Sequence, residues 1–371
     1  MANVVFIALA NLQDKSDGVA QKVLAQMDGV LQNGNMVTAY VYGNKGIVKW
    51  SNNGVVQEFP KSIIPKRWIL YNYCAKQAKK MAGFSVYIRY AHCDFPFIRM
   101  LRLLKSNICK IFLEVPSFPI VYPALRINTL SSLYFRIMDR ILSSIIKRYV
   151  YRTVSIGHET SMIFGIENIN IPNGMALKLS ETEYSTNRPT SQLHIIGVSS
   201  FYKKHGYDRL VSGLIEYYRK SKNRMIFLHL VGDGPEFEHI KTLISNGSLE
   251  KYVIMYGRLH GEEIEKIYAK CNMACGPLGL HRVGILVASP LKTKEYFMRG
   301  IPFLYSYKEI GLPNDSRYGL HIEENDNPVD FNRVLEYFNT YKDNFENISA
   351  EMKSFAHEHF KWNKILKFLS D

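Results

Sequence analysis

The residues whose types and spacing can do chemistry gather in one stretch of the chain, GILVASPLKTKEYFMRGIPFL, from Gly284 to Leu304. A small polar turn of Ala288, Ser289 and Pro290 leads into Leu291 to Arg299. The spacing predicts a helix there, with Pro290 near its first turn and Gly300 just past its end. A helix start presents unpaired N–H groups and the positive end of the dipole, so a turn of this kind can hold a phosphate. Glu295, about one turn further in, reaches a polar group attached to that phosphate, such as a ribose diol, which a carboxylate can accept from twice. An ordinary βαβ crossover whose Glu is merely solvated has the same pattern.

Four more polar loops follow predicted strands of the same half. Gly232-Asp233-Gly234-Pro235 fits a tight turn where backbone approaches a ligand, without forming a G-x-G-x-x-G fingerprint. Ser199 to Gly206, SSFYKKHG, places Lys203 and Lys204 where they can neutralise a diphosphate or simply be solvated. Arg258 closes a strand and can frame a base, and His281 and Arg282 sit just upstream of the focal turn. In the other half, His92 ends a predicted strand, where a histidine can orient a group, relay a proton or serve structure alone.

The elements that must position these residues alternate between strand and helix. NVVFIAL, VTAYVYG, Ser85 to His92, ICKIFLEVP, TVSIG and NINIPNG read as strands, with helices through Val19 to Leu31, Arg67 to Met81, Phe97 to Lys105 and Ser131 to Tyr149. Residues 176–192 lose hydrophobic periodicity and gather Ser, Thr, Glu, Asn and Pro, the composition of a linker. LHIIGVSS then restarts the alternation. The expected fold class is α/β, two doubly wound Rossmann-like domains facing each other across a cleft. Their expected bounds are 1–175 and 193–355, with a C-terminal helix over 356–371 packing back toward the first domain. A chain of 371 residues exceeds the ~250–300 that one core usually serves.

Hydrophobic residues make up 47% of the chain and charged ones 22%, as in a globular protein, and no window of ~18 apolar residues predicts a membrane span. The first residues lack a basic n-region and read as a buried strand rather than a signal peptide. Five scattered cysteines suit a reducing cytosol, and Cys271 and Cys275 have no second pair to complete a zinc set, so no metal is expected. The net charge of +14 is uneven: residues 1–175 carry 21 Lys and Arg against 9 Asp and Glu, a net of +12. That excess points to an anionic partner. Arg99, Arg102, Lys105, Lys110, Arg136, Arg140, Lys147, Arg148 and Arg152 interleave with apolar residues as on a face for an anionic bilayer. No RNP or zinc-finger sequence supports nucleic acid as that partner.

The order VSSFYKKHGYDRLV, HLVGDGPE, VIMYGRL, GPLGLHR and SPLKTKEYFMRGIPF resembles the C-terminal half of GT-B glycosyltransferases of family 4 (glycosyl transferases group 1), in the subgroup that builds bacterial capsular and surface polysaccharides. IPNG, Ile171 to Gly174, resembles that family's motif before the hinge. The resemblance implies a retaining, metal-independent transfer with no cofactor. A UDP- or GDP-linked sugar is the donor, and a glycan or lipid-diphosphate-linked sugar the acceptor, at the cytoplasmic face of the plasma membrane. It assigns Glu295 to the nucleotide ribose, Ser289, Leu291 and Lys292 to the phosphate, Gly232, Gly234, Lys203, His281 and Arg282 to the donor, and Arg258 to the base. Lys204, His92 and Glu295 are the expected catalytic residues. Gly18 and Glu114 fall to the acceptor. Two departures from the pattern matter: Val287 stands where the first of the family's paired glutamates belongs, and Ser200 and His205 stand near the usual Arg and Lys. A catalytically silent nucleotide-sugar-binding partner and a GT-B epimerase are the alternative readings.

Overall fold

The computed structural model describes residues 2–14, 18–43, 46–51, 54–58, 65–116, 130–157, 159–175, 191–221, 225–312 and 317–370. The chain divides into two units: Met1–Leu177 with His359–Asp371, and Lys178–Glu358. Most of the expected linker, 176–190, lies outside the described residues.

The first unit runs β1 (Asn3–Ala8), α1 (Gly18–Gln32), β2 (Met36–Gly43), β3 (Gly46–Ser51), β4 (Gly54–Glu58), α2 (Lys66–Gln77), β5 (Ser85–Arg89), α3 (Phe95–Ser106), β6 (Lys110–Val115), α4 (Leu130–Ile146), β7 (Arg152–Ile156), β8 (Met162–Ile163) and β9 (Ile166–Ile171). Its sheet has the order β4-β3-β2-β1-β5-β6-β7-β9-β8. The six strands from β2 to β9 are parallel, while β3, β4 and β8 join antiparallel at the edges. The edge hairpin β3–β4 departs from the alternation read in the sequence. Helices cover both faces, so β1 and β6 are buried at five of six positions each. Successive side chains feed opposite cores. Val5 and Ile7 join Val86, Leu101 and Ile111 on one face; Val4 and Phe6 join Val23, Met27 and Trp362 on the other.

The second unit runs β10 (Leu193–Val198), α5 (Tyr207–Lys220), β11 (Ile226–Val231), α6 (Phe237–Asn246), β12 (Val253–Gly257), α7 (Glu262–Tyr268), β13 (Met273–Cys275), β14 (Val287–Ala288), α8 (Leu291–Arg299), β15 (Phe303–Tyr305), β16 (Lys308–Glu309), β17 (Gly319–His321), α9 (Phe331–Tyr341) and α10 (Phe345–His359). Its sheet is parallel with the order β12-β11-β10-β13-β15-β17, and β14 pairs separately with β16. The order reverses between β10 and β13, a switch point whose carboxyl edge is the usual ligand position in such sheets. The segments leaving these two strands are Ser199 to Gly206 and Gly276 to Pro290.

The chain returns to the first unit at its end. The amide of Met175 donates to the carbonyl of Phe360 at 2.9 Å, and Met175 bridges Lys361. Trp362, 2% exposed, packs on α1 so closely that a Cβ on Gly29 would lie 2.5 Å from its own Cβ. Trp362→Ala is therefore expected to destabilise the first unit by about 3–5 kcal/mol, read as a lower urea midpoint; an unchanged midpoint would show that the C-terminal segment is not part of this core.

Candidate functional site

In the second unit the focal turn is anchored before it meets anything else. Val287 and Ala288 pair with Lys308 and Glu309, and Lys308 N and Ile310 N donate to Leu286 O and Ala288 O at 2.7 and 2.9 Å. Pro290, extended at φ −62° and ψ 147°, precedes α8, and Gly300 ends it in the left-handed region at φ 62°. No side chain caps the α8 start. Lys292 and Glu295, three residues apart, share a face of the helix, which leaves a helix N-terminus with a cation and a carboxylate beside it.

One further cation, Lys204, and the ring of His205 act on that spot. Burial lowers the Lys292 ammonium to about 8, against the raising effect of Cys275 and Glu295 and with help from Lys204. Burial, then Lys292, then Lys204 push His205 down to about 3, so its ring is neutral. Burial raises the half-exposed Glu295 carboxyl, offset by Arg299 and Lys292; Arg299 lies 3.6 Å away. The Cys275 thiol is pushed up to about 12 by burial and stays protonated, which rules it out as a nucleophile at neutral pH.

The other residues expected at the donor site divide into groups. Lys203 is exposed and turns to a depression of about 590 Å³, lined also by Asp208, Glu236, His239, Arg282 and Asp326. Arg282 is consumed there: it donates to Asp208 at 2.9 and 2.7 Å, to Asp326 at 2.6 Å and to the Lys203 carbonyl at 2.9 Å. His281 Nε2 lies 3.1 Å from Asp326. Ser289 is buried, with its hydroxyl 3.4 Å from Ile310 O rather than open to the turn. Gly232 and Gly234 meet the protein's own backbone: a Cβ would fall 1.8 Å from Ser199 O and 2.7 Å from Phe201 N. Their positive φ values of 129° and 157° thus serve the packing of two adjacent loops. Arg258 is 73% exposed and lies 3.4 Å from Asp233. Leu291 is 44% exposed at the helix start.

In the first unit Glu114 is fully buried. It accepts from Gln26 Nε2 at 2.9 Å, from Tyr87 OH at 2.8 Å and from Arg89, and Lys22 lies 3.6 Å away. Burial alone would raise its carboxyl, yet Lys22, Arg89, Gln26 and Tyr87 outweigh that and hold it at about 2. Glu114 therefore fixes Arg89 and Lys22, which are 18% and 12% exposed, instead of facing an acceptor itself. β5 ends at Arg89, so half-buried His92 sits in the loop beyond, beside Asp94. Asp94 caps α3 and accepts from Arg67 and Trp68 at 2.7 and 2.8 Å. Gly18 opens α1 with free space where a side chain would stand. Among the described residues no group of three or more His, Cys, Asp and Glu could hold a metal ion.

HepE from Anabaena in complex with UDP superposes with a TM-score of 0.57 at 12% identity, covering 100% of this chain and 98% of that one. A glycosyltransferase from Rickettsia africae gives 0.61 at 14%, over 99% and 96% of the two chains. WaaG, a glycosyltransferase of lipopolysaccharide biosynthesis, gives 0.55 at 14%, over 99% and 98%. The fold is GT-B, with two Rossmann-like domains. Residues 181–313, which lie within the second unit, match the family described as glycosyl transferases group 1. No curated protein matches the chain in sequence at a significant level.

His229, 5% exposed, links His194 and Tyr256 through 2.9 Å contacts at its two ring nitrogens. Burial, then His194 and Lys270, lower it to about 4. The unfolded chain protonates this group and His205 near pH 6.5 while the folded chain does not. Stability is then full above pH 6.5 and falls as pH drops toward 4, by about 1.4 kcal/mol per unit for each histidine. Urea unfolding at pH 7.5, 6 and 5 should show that slope, shallower in His229→Gln; equal slopes for both would count against a neutral buried His229.

Proposed function

We propose that this chain is a glycosyltransferase whose second unit binds a sugar linked to a nucleoside diphosphate. The observation that carries the reading is the set of Lys204, His205 and Lys292 at the uncapped start of α8, with Glu295 three residues beyond Lys292. Positive groups crowded at a helix N-terminus suit an anion, and a diphosphate spans more than one of them. Glu295 then accepts from the ribose hydroxyls, and exposed Arg258 lies beside the base.

The proposed reaction is retaining and metal-independent, as the resemblance to that family implies. The acceptor hydroxyl oxygen bonds to the anomeric carbon on the face from which the phosphate leaves. The anomeric carbon to phosphate oxygen bond breaks, and the hydroxyl proton passes to the departing diphosphate. Lys204 and Lys292 stabilise the charge that develops on that diphosphate. In the first unit His92 and Gly18 stand on the acceptor side, with Arg89 and Lys22, held by Glu114, as cations for a phosphorylated acceptor. A lipid-diphosphate-linked glycan in the assembly of a bacterial surface or capsular polysaccharide fits that charge. The donor is UDP- or GDP-linked; HepE, of the same fold, was solved with UDP and glucose. Val287, an alkyl side chain in the first glutamate's place, favours as second reading a nucleotide-sugar-binding partner without activity.

Calorimetry with UDP, GDP and ADP in the absence of metal tests the donor site. One nucleotide is expected to bind, Glu295→Ala to weaken it about tenfold for a lost charged hydrogen bond, and His92→Ala to lower transfer while leaving binding intact. A bound diphosphate favours the charged ammonium, so binding near pH 8.5 should take up a proton and weaken as pH rises through the Lys292 value of about 8. If no nucleotide binds the wild type, the reading is lost.

The membrane reading rests on α3 and α4. Arg99, Arg102 and Lys105 are exposed on α3, Arg140 is exposed on α4 beside Ile137 and Ile141, which are 44% and 56% exposed, and Lys147 and Arg148 are exposed in the turn that follows α4. No helix among the described residues is long and apolar enough to cross a membrane. Such a surface supports the proposed peripheral contact with an anionic bilayer, placed by the resemblance at the cytoplasmic face of the plasma membrane. The chain should sediment with vesicles containing phosphatidylglycerol, release in high salt and ignore phosphatidylcholine vesicles; indifference to both lipids would remove the membrane from the proposal.

A further inference from the structure

We propose that Glu309 is the positioning residue of the donor site, holding the first turn of α8 in register through a buried three-residue clamp. This rests on the donor reading above and adds to it a residue 14 positions beyond Glu295 that touches no ligand. Glu309 is 6% exposed, Thr293 0% and Lys294 1%. The Thr293 hydroxyl lies 2.8 Å from Glu309 Oε2 and 2.9 Å from the carbonyl of Pro290. Lys294 Nζ donates to the other oxygen, Oε1, and reaches Ile310 O at 3.4 Å. Both carboxylate oxygens are thus spent on two adjacent residues of one helical turn.

Those residues lie between Lys292 and Glu295. The four-residue run Lys292-Thr293-Lys294-Glu295 carries a ligand face at its ends and an anchor face in its middle, as helical geometry requires of residues three apart and their neighbours. Glu309 itself sits in β16, whose backbone pairs with β14 just before the turn. One residue therefore fixes the turn from both sides, by backbone through Ala288 and by side chain through Thr293 and Lys294.

A buried ion pair is a poor means of adding stability, because two charges leave water, and an apolar pair of similar volume often does as well. What the carboxylate supplies that alkyl groups do not is direction: two bonds of fixed length to two successive residues. A phosphate gripped by backbone N–H groups depends on sub-ångström placement of that turn.

The test uses the full chain and the nucleoside diphosphate, of UDP, GDP and ADP, that the wild type binds. Thr293→Val removes one bond to Glu309 without changing charge, and Thr293→Ser keeps it. Glu309→Gln breaks the ion pair, and the double change Lys294→Met with Glu309→Leu replaces it with packing. Expected are a loss of affinity of about tenfold in Thr293→Val, near wild-type affinity in Thr293→Ser, a larger loss in Glu309→Gln, and a double variant that recovers thermal stability but not affinity. Circular dichroism at the assay temperature selects the variants that are folded. Folded Thr293→Val and Glu309→Gln that bind like wild type, whatever their melting temperature, overturn this inference alone. A wild type that binds no nucleotide overturns the donor reading and this inference with it.

Discussion

Desolvated positive charge at the carboxyl edge of a parallel sheet is the constraint around which the second unit is arranged. Lys292 is carried by the helix whose N-terminus it adjoins, and His205 is kept neutral because two ammonium groups and burial leave no room for a third charge. An arrangement that suppresses protonation of one neighbour and depresses another is unfavourable in isolation and becomes favourable with an anion between its members. The loops that deliver these residues are correspondingly rigid: 199–206 is bonded to 233–236 through Phe201, and Gly279 N and Leu278 N donate to Lys204 and His205 carbonyls.

The first unit solves the reverse problem. There the buried charge is an anion, Glu114, and the cations around it are the partly exposed members. Both units thus keep a carboxylate inside to fix neighbouring side chains, Glu114 the partly exposed Arg89 and Lys22, Glu309 the buried Thr293 and Lys294. The two differ in kind: Glu114 is stabilised in its charged form well below its usual range, whereas burial at Glu309 exceeds what Lys294 returns and its carboxyl is raised.

How much of this was legible in the sequence depends on how local its cause is. Pro290 and Gly300 bracket α8, and the structure places the helix between them because a fixed φ and a left-handed residue act within one turn. The alternation of strands and helices was equally readable, since it rests on periodicity. The β3–β4 hairpin was not, because its strands are short and lie at an edge. Arg282 looked free in GPLGLHRVG; Asp208 and Asp326, which bind it, stand 74 and 44 positions away. Gly232 and Gly234 looked like a ligand cradle for the same reason, the backbone they accommodate being 33 residues earlier in the chain. Glu114 carried its own hint, a lone carboxylate in the apolar strand KIFLEV, which points to a partnered buried charge more than to a surface contact.

The return of the C-terminal segment to the first unit bears on the order in which the protein can be made. Trp362, Leu366 and Leu369 belong to the core beneath β1. A ribosome delivers them only after the whole of residues 178–358 has emerged, so the amino-terminal sheet waits with one face unfinished while the later unit already has all of its own strands. Chains usually complete their domains from the amino end. Here the second unit can close first, and a chain truncated by a few residues at its carboxyl end forfeits the packing of the unit that was synthesised earliest.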